Sequence, residues 1–400
     1  MSLDLFKLHS KEDKPKGWIW VKFNPYLLQK EYIKILYKTS QKEISKKINK
    51  NLNAGISTIE KHLIKLKKSK EKIEFPLPII IELTNFINKA YLKKKVIDSM
   101  EYFICKTSTT KQRVKAVKEI NEIFAKLIGA FIADGHSKPE NQSYRLRITD
   151  GRKELVIISA KWIKQIFEFN SIIRFNKTDN TYNCWFNNKV IARYLKNILE
   201  IPSGKKSYLV QEPDLIKKSS FNLRKAFASG VINFDGGIKT TGMVSISSMS
   251  KQLIYDLYTI LKLDKIKVNL SYNIKKKSWL LESNSGRNPT YIKRLLTYFE
   301  EETWKYNRLK FFIEDKNYSI GQLNYLFPKH YLSKINLNEI YNCIRTIKSG
   351  NIDDIIKGLN NSKVSNTTIY KYLYILEKSR LISKTIENCN EVRYNSKWQP

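Results

Sequence analysis

Apolar residues recur along this chain with two periods, and each period predicts a kind of element. A period of two marks strands. In YRLRIT, Tyr144, Leu146 and Ile148 point one way while Arg145, Arg147 and Thr149 point the other. In KVNLSYN, Val268, Leu270 and Tyr272 alternate with Asn269, Ser271 and Asn273. Shorter strands are expected around 173–177, 182–186, 243–247 and 278–283. A helical period places Ile44 and Ile48, then Ile59, Leu63 and Leu66, on single faces. Further helices are expected over 154–169, 189–199, 251–263 and 290–299, with His136–Ser143 as a polar loop. Two runs of small and apolar residues stand apart: LIGAFIADG at 127–135 and ASGVINFDG at 228–236. Each predicts a helix that ends in an acid followed by glycine, a residue suited to the turn after a helix.

The acids of these runs, Asp134 and Asp235, lie 101 positions apart. A fixed spacing of this kind signals an internal repeat. Around each run the same order recurs: helix, two strands, helix, two strands, helix. The fold class is therefore α+β, built on two repeats at 119–212 and 213–314. Residues 1–105 read as a helical domain joined by a connection at 106–118. Residues 336–400 read as a winged-helix domain after a second connection at 315–335. In the first flank, SQKEISKKINKNLNAGISTIEKHLIKLKK reads as a helix-turn-helix, with Ser40/Glu43 and Ser57/Glu60 as expected capping boxes. Its second helix carries Lys61, Lys65, Lys67 and Lys68, as expected of an element lying against DNA. In the last flank, Ile340 and Ile344, Ile355, and then Ile369, Leu373 and Leu376 mark three helices. The third presents Tyr370, Lys371 and Tyr374, and 381–394 is expected to be a two-strand wing with Asn388 and Asn390 near its tip.

Charge sharpens this picture. The formal net charge is +36, from 73 basic and 37 acidic residues. Such an excess calls for a polyanionic partner, and nucleic acid is the default. With 42% hydrophobic residues the chain has enough for real cores. Cys105, Cys184, Cys343 and Cys389 form no CxxC pair, so neither a zinc site nor a disulfide framework is expected, and a reducing, intracellular location follows. The apolar run Pro76–Ile87 is too short to span a membrane and is expected to be a core helix.

Small residues on a helix face let two backbones pack closely. Two such helices side by side would bring Asp134 and Asp235 to one seam, able to hold divalent cations through oxygen ligands. Both runs resemble the LAGLIDADG motif of homing endonucleases. Gly129 and Gly230 take the central, helix-packing glycine; Asp134 and Asp235 the catalytic acid; Gly135 and Gly236 the final glycine. The departures are Ile132 and Asn233, where the motif has its first aspartate, and Phe234, where it has a small residue. The resemblance covers about 120–313 and implies a pseudo-symmetric αββαββα pair whose sheets saddle double-stranded DNA. It implies Mg²⁺ or Mn²⁺ at Asp134 and Asp235, a single-chain monomer, and cleavage of both strands across the minor groove with short 3′ overhangs. It also implies a catalytic basic residue downstream of each acid, for which Lys206 and Lys310 are the candidates, with Lys205 and Arg308 beside them at the DNA. Arg145, Arg147, Asn269 and Ser271 would face the groove. Other readings are a DNA-binding regulator of the same fold and an intron RNA maturase. An intein is not expected, because the chain starts with Met1 and lacks a terminal His-Asn pair.

Overall fold

The computed structural model describes residues 2–397 except 53, 106–111, 141–142, 205, 284–287, 329–334, 360–363 and 387–391. They form two compact units, Met1–Phe234 with Ser250–Asp256, and Asp235–Met249 with Leu257–Pro400.

The first unit begins with β1 (Ile19–Phe23), α1 (Tyr26–Leu36), α2 (Gln41–Asn49), α3 (Ile56–Lys68), β2 (Ile73–Pro76), α4 (Leu77–Ile87), α5 (Ala90–Ser99), β3 (Met100–Cys105) and β4 (Val114–Lys115). The strands form an antiparallel sheet in the order β2-β1-β3-β4, so residues 1–105, expected as a helical domain, mix helix and sheet. Ile19, Val21 and Phe23 alternate into its core, as a period of two requires. Ile44, Ile48, Ile59, Leu63 and Leu66 are all buried, which joins α2 to α3 as the helical period predicts. Helix α4 is the expected core helix, buried on almost every side.

Two local expectations fail here. The Ser40 hydroxyl accepts from the Glu43 amide, but Ser57 is not the N-cap of α3: the helix starts two residues earlier, with Gly55 as its N-cap and no side-chain bond. The stretch 106–118, expected as a bare connection, pairs with β3 through β4. Its residues 106–111 lie outside the described ones.

The N-terminal segment is clamped to residues 189–193. Arg193 grips Asp13 with two nitrogens, at 2.5 and 2.7 Å, and donates to the Leu8 carbonyl. Lys189 adds bonds of 2.7 Å to Asp13 and to the Gly17 carbonyl. These groups are largely buried, so the charges are paired as burial demands.

The first repeat runs α6 (Glu122–Asp134), β5 (Gly135–Glu140), β6 (Ser143–Asp150), α7 (Lys153–Phe167), β7 (Ile172–Asn176), β8 (Thr181–Trp185) and α8 (Lys189–Arg193). Its antiparallel sheet has the order β5-β6-β8-β7. The expected loop at His136–Ser143 is mostly strand: Gly135 to Glu140 pair with Ile148 to Ser143. His136 to Glu140 hold no branched aliphatic residue and no Phe, Tyr or Trp, so no hydrophobic alternation announces this edge strand. Helices α9 (Asp214–Lys217) and α10 (Phe221–Asp235) come next. Here Arg224 holds the buried Glu212 by two bonds of 2.8 Å, and Lys217 and Gln252 hold Asp256.

Along the chain then come β9 (Gly237–Ile238), β10 (Val244–Ser248), α11 (Lys251–Leu263, counted with the first unit up to Asp256), β11 (Val268–Asn273), β12 (Ser278–Ser283), α12 (Pro289–Leu296), α13 (Trp304–Lys310) and α14 (Ile320–Leu326). Helix α14 occupies part of the stretch 315–335, where only a connection was expected. The sheet order is β9-β10-β12-β11, the same as in the first repeat. The second unit ends with α15 (Leu337–Ile347), β13 (Ser349–Gly350), α16 (Ile352–Gly358), α17 (Asn366–Lys378), β14 (Ile382–Ile386) and β15 (Val392–Ser396). Strands β14 and β15 form the expected hairpin, and the unforeseen β13 pairs beside β15. Asn388 and Asn390 lie outside the described residues.

Candidate active site

Helix α6 starts where Asn121 accepts from the Phe124 amide, and it buries Phe124, Leu127, Ile128, Phe131 and Ile132. Its small residue Gly129 meets Gly230 of α10 inside the first unit. A Cβ on Gly129 would lie 2.1 Å from the Phe227 carbonyl oxygen and 2.8 Å from the Val231 nitrogen. A Cβ on Gly230 would lie 2.1 Å from the Lys126 carbonyl oxygen and 2.9 Å from the Ala130 nitrogen. Each glycine thus faces the carbonyl three residues before the other glycine and the amide one residue after it. No side chain fits there, which is why the sequence places glycine at both positions.

Each acid ends its helix five residues past its glycine, roughly 7–8 Å along the axis at 1.5 Å per residue. Asp134 is half-buried and Asp235 exposed. Gly135 closes α6, its amide donating to the Phe131 carbonyl. A Cβ at Gly135 would lie 2.2 Å from that same oxygen, so this turn admits no side chain. Ile132 and Asn233, at the motif's missing aspartates, are both buried; Asn233 turns back to the Ser229 carbonyl at 3.0 Å. Phe234 is buried as well.

Lys206 reaches the end of α6. Its ammonium donates to the Phe131 carbonyl and sits 4.7 Å from the centre of the Phe131 ring. A cation at a helix C-terminus is favoured by the helix dipole. Lys310 is placed differently. It forms a 2.9 Å ion pair with Glu314 on its own turn, and that hydrogen bond raises its pKa. Arg308 lies with its guanidinium 4.7 Å from the Phe327 ring. Lys205 lies outside the described residues. The residue that sequence reasoning passed over is Lys305, which is only 6% exposed on α13, a helix packed against β9 just beyond Asp235. It lies 70 positions after Asp235, against 72 between Asp134 and Lys206, but Arg308 at 73 is nearer still, so the offset alone does not single Lys305 out.

The strands set out the expected surface residues. Arg145 is exposed, and Arg147 stacks 5.2 Å from the centre of the Trp185 ring. Leu146 and Ile148 are fully buried on the opposite face. Arg174, which no sequence pattern singled out, shares the face of Arg147: it pairs with Asn183, which pairs with Thr149. Asn269 and Ser271 are exposed on β11. Lys61 and Lys371 are exposed on α3 and α17, and Lys65 donates to the Glu74 carbonyl at 3.2 Å. Among the described residues no cluster of three or more His, Cys, Asp or Glu side chains is placed to hold a metal. The described cysteines Cys105, Cys184 and Cys343 are free and buried. No described helix is long and apolar enough to cross a membrane.

No family model matches the chain. The replication factor C small subunit of Methanocaldococcus jannaschii is 24% identical over 275 residues, 67% of this chain. The match spans only 14% of that protein's length. Among solved structures, the chain is similar to the homing endonuclease I-DmoI in complex with DNA and Mn: 19% identity, 44% of this chain, 97% of that one and a TM-score of 0.35. It is similar to the homing endonuclease I-WcaI bound to its DNA recognition sequence: 13% identity, 48% and 87% covered, TM-score 0.32. It is also similar to the N-terminal LAGLIDADG domain of DUF199/WhiA: 12% identity, 51% and 86% covered, TM-score 0.31. Overlays this loose decide nothing about chemistry, which has to be argued from the residues.

Proposed function

We propose that this chain is a site-specific DNA endonuclease of the LAGLIDADG type, which hydrolyses both strands of a long duplex target. The observation that carries the reading is the reciprocal glycine contact. Gly129 meets Phe227 and Val231, and Gly230 meets Lys126 and Ala130; each pair is related by the 101-residue offset that also relates the two acids. Two helices packed in this way act as a pseudo-twofold axis, and each delivers one aspartate to one strand of DNA. Equal sheet orders in the two repeats support the same duplication.

The donor set fits a hard divalent cation. Asp134 and Asp235 offer oxygen only, one carboxylate per helix, and Mg²⁺ is commonly bound by one or two carboxylates together with substrate phosphate and water. A cation there would activate water and offset charge on the phosphate. The chain's own residues do the rest. Each acid closes its own helix, and each is assigned one scissile phosphate. Lys206, anchored on the Phe131 carbonyl, is a fixed positive charge at the end of α6, where negative charge grows on a phosphate. Lys305, on a helix packed against the strand that follows Asp235, is a candidate for that part in the second half beside Lys310. In the flanks, α2 and α3 serve as a helix-turn-helix and α15 to β15 as a winged helix, presenting Lys61 and Lys371 to the same duplex. The protein works as an intracellular monomer.

The test is a Mg²⁺ assay on duplex DNA from the chain's native genomic neighbourhood, with salt varied. Cleavage supports the nuclease. Binding without cleavage makes the protein a regulator, and binding confined to intron RNA makes it a maturase. Affinity should fall by roughly 10³–10⁵ between 50 and 200 mM salt if many phosphates are neutralised.

A further inference from the structure

The two sheets share a backbone and differ in what they display. Both end in a hairpin of the same design. Phe175 pairs with Tyr182 and Tyr272 with Trp279 across their strands, with ring centres 4.8 and 5.1 Å apart. One further pair, Asn176–Thr181 or Asn273–Ser278, leads into a four-residue loop whose last residue, Asn180 or Lys277, has a φ of 51° or 49°. The inner faces are alike too: Ile148 and Cys184 are buried in one sheet, Ile246 and Leu281 in the other.

The outer faces are not alike. Cross-strand partners share a face. In the first sheet that rule places Arg147 with Trp185, and Arg174 with Asn183 and Thr149; Arg145 falls on the same face two residues before Arg147. In the second sheet it places Asn269 with Ser245 and Glu282, and Ser271 with Ser247 and Leu280. The one acid of that face among the described residues, Glu282, is paired with Lys239. The first face therefore carries three guanidinium groups, and the second carries amides and hydroxyls with no net charge. The hairpin loops reverse this. Lys275, Lys276 and Lys277 are all exposed in the second loop, while the first carries Lys177 and Asp179.

We propose that the two sheets divide recognition: the first reads guanines with Arg145, Arg147 and Arg174, and the second reads adenine–thymine pairs with Asn269 and Ser271 while the Lys275–Lys277 loop grips phosphate. The proposal rests on the reading of the chain as a DNA endonuclease. Arginine matches the O6 and N7 acceptors of guanine, and asparagine matches the donor–acceptor edge of adenine. Phosphate contacts position a protein and carry no sequence information directly. A face without charge needs its positioning charges elsewhere, and the second repeat has them at the hairpin tip. Asn273 helps to hold that tip, its side-chain Oδ1 accepting from the Lys276 amide at 3.0 Å.

The full chain is used to select duplexes from a randomised pool, in Ca²⁺ in place of Mg²⁺. The expected motif has preferred guanines in one half and adenine–thymine pairs in the other. Arg174→Ala should relax discrimination at one or two guanine positions by roughly 5- to 150-fold and leave the other half unchanged. Asn269→Ala should do the converse. Replacing Lys275, Lys276 and Lys277 together by Ala should weaken all sequences alike and flatten the salt dependence, with the motif unchanged. All these side chains are on the surface, and circular dichroism confirms that the variants fold. Guanine preference in both halves or in neither, or Arg174→Ala and Asn269→Ala acting on the same positions, overturns the division while the endonuclease reading stands. Absence of any duplex binding overturns both.

Discussion

The two repeats agree more where side chains of their sheets face inward than where they face out. Strand order, hairpin length and the aromatic pair before each loop are common to both. The helices that end at Asp134 and Asp235 meet through matching contacts. Interiors are close-packed, so a changed inner residue disturbs its neighbours. Outward residues carry no such constraint. There the first repeat has arginines and the second has asparagine and serine, and the basic residues beyond the two acids differ as well. Lys206 is anchored on the helix that carries Asp134, whereas Lys310 is paired with Glu314, just past the end of its own helix. The two repeats thus share a strand order while displaying different outer faces.

The strongest test of the shared chemistry is to remove each acid. Asp134→Asn and Asp235→Asn keep size and hydrogen bonding but lose the charge a cation needs. Each should abolish double-strand cleavage in Mg²⁺, leave at most nicking of one strand, and preserve or slightly raise affinity for DNA. Plasmid cleavage with binding measured in Ca²⁺ checks this, and full cleavage by either variant would remove its aspartate from the mechanism.

The basic residues should behave unequally. Lys206→Met is expected to slow cleavage by about 10²- to 10³-fold with little change in binding, the scale of a lost electrostatic contact to the transition state. Lys310→Met should cost less than about threefold. If the two variants prove equally slow under single-turnover conditions, the contrast between the halves at this position is broken.

The glycines should behave alike. Gly129→Ala and Gly230→Ala each force a methyl against a backbone carbonyl, and overpacking of this kind costs about 1–3 kcal/mol. Urea denaturation of both variants should give similar losses. A tolerant Gly230 would mean that the two sides of the crossing are not equivalent. The smallest effect is expected from deleting residues 336–400. Cleavage at high protein concentration should persist, with affinity or specificity for the target reduced; an unchanged truncated protein would assign that region another partner.

The sequence displayed much of this. The two acid–glycine runs, the alternation of Leu146 and Ile148 against Arg145 and Arg147, and the faces of α2, α3 and α17 could all be read from spacing, because one buried side imposes a period. Strand β5 could not be read: it is polar and lies at an edge, so no burial pattern marks it. Gly55, in place of Ser57, as the start of α3 was equally silent, since a glycine N-cap offers no side chain to recognise.

What the sequence determined by itself was the duplicated frame and its two acids, fixed by local periodicity and by residue types that only a tight helix crossing requires. What tertiary structure alone decided was which charges reach that frame. Lys206 meets the Phe131 carbonyl across 75 positions of chain, and Asp13 meets Arg193 across 180. In a chain with lysine almost everywhere, composition cannot single out one of them. A long-range contact depends on where packing brings two distant backbones, and no local pattern encodes that.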